Sequence, residues 1–598
     1  MKCVSSEVAF CVYQSIAEIV VLFNKISSNI LYNYRKGRLL ELKNMTKHIT
    51  TTAIAFLVTF SLMFVAEAAT WPDHSPNQEP DKSWTITFNK PVKRETVPGS
   101  IYITDSQGII QENVLSYSDA DKKIHIAPPV GNYRYGEHYT LVITQAVENT
   151  DGQSLKSPIT KTFSIKAGVT YDLANVQANG TTSIIERFPS FEAAANRMNS
   201  NQVVLLQNKI IHMPAGLVST VAYGGSSLTI LYANEALTTQ ETYIPADTEL
   251  LYVDSTAKSV KVELAGRNFY IKPQNARLLP SQTVTDRTYY KVSKGSLYHF
   301  IYSHNAKKFA SYEMGAAPRF MQEGAKYYST DGSHFHDVAG KAVGTAHQYF
   351  QYLPMRSMTR YTAEELDAYI MKQLRSLENA YPQSTFYKNA TTRSKLIGMG
   401  AELKRIEQES HINAMHILAL AQHESQYGLS SYALNYNNLF GLYVTDDNPQ
   451  NKYFASVSKN IQELVDSFLN RNYLPPGAKY ANGTNFGNKA IGMNVKYASD
   501  PYWGSKIGGH LYRMDRSMGG KEMANQLMIG LTNEVKLNVR QDPNTSRAGV
   551  YQYAKIGMPL IIKNDQLPEN PWIQIRSDVA PYDVLYVHGS YVDRLIWE

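Results

Sequence analysis

The chain's only two cysteines are Cys3 and Cys11, at the start of 598 residues. No disulfide can staple anything downstream, and no cysteine-based zinc site can form there, so each later domain must stand on its own hydrophobic core. At this length one core is excluded and about three to five domains are expected. With 43% hydrophobic and 19% charged residues, the composition excludes both a polytopic membrane protein and a mainly disordered chain. The formal charge of +7 suits an anionic surface as partner. It falls far short of a nucleic-acid footprint, so no nucleic-acid partner is expected.

Residues 53–65 are an apolar run too short to span a bilayer. Lys47 and His48 precede it, and Ala66-Glu67-Ala68 follows with small residues at a cleavage spacing. Residues 45–68 are therefore expected to be a secretory signal peptide cut after Ala68, with translation starting at Met45 and residues 1–44 a doubtful extension. Cleavage would remove both cysteines and leave a secreted mature form without a membrane segment.

Residues 69–168 alternate strand-like runs with turn clusters every eight to twelve residues, the pattern of a β-sandwich. Ser83–Asn89, Lys123–Ile126, His138–Thr144 and Lys161–Ile165 are the clearest strands. The Thr87–Pro91 turn, the Tyr139-Thr-Leu strand and Asp151-Gly152 resemble bacterial Ig-like modules. Residues 169–355 read as a mixed β region, with a capped helix at Ser190–Met198 and strands at Thr248–Val253, Ser259–Leu264 and Asn268–Lys272. The last three have the layout of a small SH3-type barrel near 241–280. His334-Phe-His336-Asp337 has metal-like residues but no third ligand at a recognisable spacing, so a solvated loop is expected and no metal or cofactor.

Residues 356–520 read as helical, opened by the capping-box spacing of Thr362 and Glu365. A final β module is expected at 535–598. Its Leu537-Asn-Val-Arg-Gln-Asp-Pro543 opening resembles bacterial SH3 modules, although Leu585-Tyr586 stands where a Gly-Trp is usual.

The chemistry concentrates in His411–Gly428. As a helix, this segment sets Glu424 four residues beyond Leu420 and three beyond Ala421, continuing the apolar stripe. Desolvation there disfavours the carboxylate and lets the group hold a proton near neutral pH, as a general acid for a glycosidic oxygen must. Gly428 is expected to give the left-handed exit that ends the helix beside it.

Three ordered motifs give this Glu a context: Glu424-Ser-Gln-Tyr427-Gly428-Leu-Ser, Asn437-Asn438-Leu439-Phe440-Gly441, and Gly492-Met-Asn-Val-Lys-Tyr497-Ala-Ser-Asp500-Pro-Tyr502-Trp503-Gly504. Together they resemble the glucosaminidases of glycoside hydrolase family 73, and the chain as a whole is similar to secreted cell-wall glucosaminidases of Bacillus-type bacteria. The resemblance implies a lysozyme-like helical domain that cuts the β-1,4 bond after N-acetylglucosamine in peptidoglycan, the implied partner. By position it implies Glu424 as catalytic acid, Tyr497 and Asp500 as catalytic-site residues, and Asn438, Phe440 and Tyr427 as cleft residues, with Leu439 and Phe440 also read as a packed turn that shapes the cleft. Tyr502 and Trp503 offer faces for pyranose rings.

The second catalytic group stays open. A retaining pair of carboxyl groups needs a separation of about 5–5.5 Å and an inverting pair about 6.5–9.5 Å. Asp446 and Asp447, after the Asn-Leu-Phe-Gly turn, are candidates. Attack by the substrate's own acetamido group, steadied by Tyr497 or Asp500, is the preferred route. A lytic transglycosylase and a non-catalytic wall-binding protein remain the alternatives, and the oligomeric state is unknown.

Overall fold

The computed structural model describes residues 74–130, 132–444, 453–564 and 571–597. The expected extension 1–44, the leader 45–68, and Asp446 with Asp447 lie outside the described residues. Two compact units divide between Val169 and Thr170.

In the first unit several strands bury every second residue. Ile101–Asp105 turns Ile101 and Ile103 inward, and His138–Ile143 turns in Tyr139, Leu141 and Ile143. A strand patterned this way buries one face only, so a second sheet must cover it. One sheet runs His74–Gln78, Ile159–Ile165, His138–Ile143, Ile101–Asp105 in space; the other runs Trp84–Thr87, Lys123–Ile126, Leu115–Ser118. Trp84 and Phe163 meet between them with ring centroids 4.8 Å apart, closing a β-sandwich.

The second unit opens with a four-stranded sheet in the order Lys209–His212, Gln202–Leu206, Tyr171–Val176, Thr182–Phe188. Helix α1, Phe191–Arg197, packs on it after a Ser190 cap. The three strands expected near 241–280 form as Glu249–Ser255, Val260–Leu264 and Arg267–Ile271. They belong to a seven-stranded antiparallel sheet that also takes in Gly216–Thr220, Leu228–Tyr232, Gln240–Pro245 and Ala276–Pro280, so the sheet begins well before residue 241. Its first strand hides from a period-two reading because Leu217, Val218, Ser219 and Thr220 are all buried. Another antiparallel sheet joins Lys308–Ala316, Ser296–Ser303, Tyr289–Ser293 and Lys326–Tyr327. His334–His336 is a short strand paired with Ala342–Thr345 rather than a loop, and His334 Nδ1 bonds Asp331 Oδ2 at 2.6 Å.

The helical part begins with α2, Ala363–Ala380, where Thr362 and Glu365 form the reciprocal capping box and Leu366, Ile370 and Leu374 turn inward. It continues through α3, Gly400–Ser410, α4, Ala414–Ser425, α5, Ser431–Tyr436, α6, Val457–Glu463, and α7, Trp503–Ser517. Helix α4 is buried on every side from Ala414 to Gln422, which makes it the central helix. Helix α7 packs on α4 and on the strand Lys308–Ala316.

The C-terminal sheet runs Val584–His588, Trp572–Arg576, Pro559–Asn564, Ile529–Thr532, Val592–Arg594. It therefore starts at Ile529, ahead of the expected residue 535. Ile529 and Leu595 belong to the same core as the helices, and Trp597 Nε1 donates to Leu527 O at 3.1 Å. This module is sewn to the helical part rather than strung behind it.

Candidate active site

Helix α4 starts at Asn413, whose side chain accepts from Met415 N at 2.9 Å. It ends under strain. Gln426, Tyr427 and Gly428 are all left-handed, with φ of 49°, 61° and 74°, so the exit begins at Gln426, two residues ahead of the expected glycine. Ser425 Oγ makes this possible by accepting from Gly428 N at 2.8 Å. Gly428 is needed as well, because a Cβ there would lie 2.9 Å from Ser394 Oγ and 3.0 Å from Leu396 Cγ. Two non-glycine residues held left-handed in succession cost free energy that the surrounding packing must supply.

Glu424, one residue before the end of α4, is exposed as a residue, while its carboxyl end is crowded on the side of Trp503. Its Oε1 accepts from Trp503 Nε1 at 2.9 Å. Loss of water around the group pushes its carboxyl above the usual range, and the indole N–H pulls it partway back.

Trp503, the first residue of α7, is only 3% exposed. Its indole stacks on Tyr497, with centroids 4.8 Å apart and planes at 27°, and meets Phe486 edge-on at 5.6 Å. The expected sugar-facing platform is thus corrected: the ring is buried against Tyr497 and Phe486, and its indole N–H is bonded to the acid. Tyr497 is half-buried, and its hydroxyl is pushed up, first by burial and then by the Glu424 charge. It therefore stays an O–H donor across the physiological range.

The other expected residues divide. Asp500 accepts from Tyr502 N at 2.9 Å and pairs with Lys506 Nζ at 2.5 Å; both its oxygens are engaged at the entrance to α7. Tyr502 is half-buried with its ring set edge-on to His299, centroids 4.6 Å apart. Tyr427 lies on the side of His510, 6.3 Å between ring centroids. Asn438 and Phe440 do not face the cleft. Asn438 is 1% exposed, exchanges side-chain bonds with the Leu442 backbone, both at 3.0 Å, and accepts from Asn460 Nδ2. Phe440 is buried too. Both shape the turn from inside, since their bonding and apolar surface are used up there.

Two residues that the sequence does not single out also matter, Phe486 and Lys489. Phe486 backs Trp503 and also stacks on His416 at 5.1 Å. Lys489 carries only a weak sequence signal, a single cation in a stretch of Gly, Asn and Ala. A cavity of about 560 Å³ between the helices and the C-terminal sheet, lined by Arg356, His411, Asn470, Arg576 and Asp578 among others, contains none of the residues around Glu424. Among the described residues no group of three or more His, Cys, Asp or Glu is set to hold a metal ion, and no helix is long and apolar enough to cross a membrane.

Residues 400–516 match the family model described as mannosyl-glycoprotein endo-beta-N-acetylglucosaminidase, and residues 65–165 match that of a bacterial Ig-like domain. A Streptococcus pneumoniae serotype 4 protein named "Putative endo-beta-N-acetylglucosaminidase" is 31% identical over 270 residues, covering 45% of this chain and 36% of its own. The protein of the same name from strain R6 is 31% identical over the same length, 45% of this chain and 34% of its own. The chain thus spans about a third of the length of the curated relatives it matches. The crystal structure of autolysin E from S. aureus is 14% identical, covering 29% of this chain and 75% of that one, with a TM-score of 0.20. Glu424, Tyr497 and Trp503 all fall within residues 400–516, so the site lies inside the segment that matches the glucosaminidase family model, in a chain whose residues 65–165 match the bacterial Ig-like one.

Proposed function

We propose that this protein is an endo-β-N-acetylglucosaminidase that hydrolyses the β-1,4 bond after N-acetylglucosamine in bacterial peptidoglycan, with Glu424 as general acid. One observation carries the reading: within the matched segment, the carboxyl at the end of the buried helix α4 is held by an indole N–H at 2.9 Å. A protonated Glu424 gives its proton to the glycosidic oxygen as the C1–O bond breaks. The acetamido oxygen of the same sugar then closes on C1, and water opens that ring with Glu424 taking a proton back. Tyr497, whose hydroxyl stays protonated, is assigned to orient the acetamido group. Asp500 is assigned to the shape of the α7 entrance through Lys506 rather than to attack on C1, and Tyr502 and Tyr427 to the borders of the cleft. The helical part is read as lysozyme-like, and the β modules near 216–280 and 529–597 as SH3-type units that hold the enzyme on the wall. Export through the leader at 45–68 accords with that substrate.

Reducing-end mass spectrometry of digested walls tests the reaction. The expected product ends in hydrated N-acetylglucosamine. Anhydro-muramyl ends would identify a lytic transglycosylase instead, and undigested walls a binding protein. The pH profile follows from the same bond. Activity needs Glu424 protonated, so it falls as pH rises through the raised pKa. Trp503→Phe removes a donor that favours the carboxylate, which moves the alkaline limb to higher pH while the maximal rate drops about tenfold. An unchanged limb in rate–pH measurements would dissociate Trp503 from the acid.

A further inference from the structure

Lys489 is fully buried, yet it has no carboxylate in ion-pair contact among the described residues. Its Nζ donates to Asn494 O at 3.0 Å and Ala498 O at 2.5 Å, and sits 5.0 Å from the centroid of the Tyr243 ring. A tight turn drives it inward: Asn488 Oδ1 accepts from Ala490 N and Ile491 N, and Asn488 N donates to Ile491 O. Gly487 is left-handed at φ 64°, where a Cβ would meet Ile491 O at 2.0 Å.

The carbonyls flanking Tyr497 divide between two sources. Thr242 Oγ1 donates to Val495 O at 2.6 Å and Tyr243 OH to Lys496 O at 3.0 Å, both from the strand Gln240–Pro245. Asn494 O and Ala498 O, on either side of that pair, go to Lys489. A hydroxyl could reach one carbonyl and a side-chain amide two; an ammonium reaches two with a charge behind each bond and still turns a third proton to an aromatic ring. Burying the charge is costly. It brings the Lys489 pKa down to about 7, with Asp500 favouring the charged form and Lys496 opposing it. A buried lysine whose amino group has only loop carbonyls and a ring as close partners marks the loop as what it serves.

We propose that Lys489 is a positioning residue for Tyr497, its ammonium drawing Asn494 and Ala498 inward so that the Tyr497 ring is pressed onto Trp503 beside Glu424. The effect on turnover rests on the glucosaminidase reading; the clamp itself does not. Two measurements on the full chain therefore separate them. In Lys489→Met, amide hydrogen exchange across residues 492–500 is expected to quicken about tenfold while α4 keeps its protection. On digested walls, kcat is expected to fall about tenfold with KM within about twofold, and Lys489→Met added to Tyr497→Ala is expected to cost less than about twofold more. Unchanged exchange at 492–500, or losses that multiply in the double variant, would overturn the proposal. Should Lys489→Met fail to fold, Lys489→Gln, which keeps a donor without the charge, takes its place in both measurements: faster exchange at 492–500 supports the clamp and unchanged exchange overturns it. A wild type that leaves walls uncut while Lys489→Met still loosens 492–500 would refute the enzymatic reading and leave the clamp standing.

Discussion

Glu424→Gln is expected to lower wall hydrolysis about a thousandfold with the fold intact. The amide is isosteric and can still accept from Trp503 Nε1, which reaches Oε1 at 2.9 Å in the wild type. The packing of Tyr497 on Trp503 and of Trp503 on Phe486 should therefore survive. What the amide lacks is a transferable proton, and general acid catalysis is worth about 10²–10⁴ in rate. Zymography on purified walls, with a circular dichroism melt as the control for folding, separates lost chemistry from lost structure. A Gln variant that keeps a tenth or more of wild-type clearing would remove Glu424 from the mechanism.

A large effect on stability is expected at Gly504, the second residue of α7. A Cβ built there lies 2.1 Å from Gly487 O and 2.9 Å from both Gly487 C and Phe486 O. These are backbone atoms and cannot swing aside, so Gly504→Ala must lift the start of α7 off the 486–487 turn. Overpacking of this kind costs about 1–3 kcal/mol, whereas alanine's better helix propensity returns about 1 kcal/mol at most. The steric cost wins. Because Trp503 is the preceding residue and Phe486 its edge-on neighbour, the same shift loosens the bond to Glu424, and activity should fall with stability. Gly477→Ala is the control, since a Cβ at Gly477 meets nothing within 4 Å. A melting temperature that drops by several degrees for Gly504→Ala and not for Gly477→Ala is the expected outcome; equal melting temperatures would contradict the close approach.

The sandwich and the capped start of α2 are legible in the sequence, because each rests on a local rule. Period-two burial marks Lys123–Ile126 and His138–Ile143, and the Thr362–Glu365 spacing marks a helix start; α4 reads as one apolar stripe, whereas the structure buries it on every side. The wide sheet from Gly216 to Pro280 is only half visible there, since its added strands bury Ser and Thr along with Leu and Val. For the exit of α4 the sequence points to Gly428, because glycine is the usual left-handed residue. Gln426 and Tyr427 take that conformation first, since the hydroxyl of Ser425 and the packing of Gly428 on Leu396 fix the chain there.

What the sequence determined by itself was the order of the parts and the identity of the acid candidate. A carboxylate ending an apolar helix, followed by two further motifs, stands out from the residues alone. Only the tertiary structure decided what the neighbours do. Trp503 turned from a sugar platform into a hydrogen-bond donor, Asn438 from a cleft residue into an interior support, and Lys489 from an unremarked cation into a buried donor to two loop carbonyls. The reason is range. Helix periodicity and capping are set within a few residues, whereas the contact of Glu424 with Trp503 spans 79 positions and that of Tyr243 with Lys496 spans 253. Which face of a ring or which end of a lysine is used depends on what folding brings opposite it.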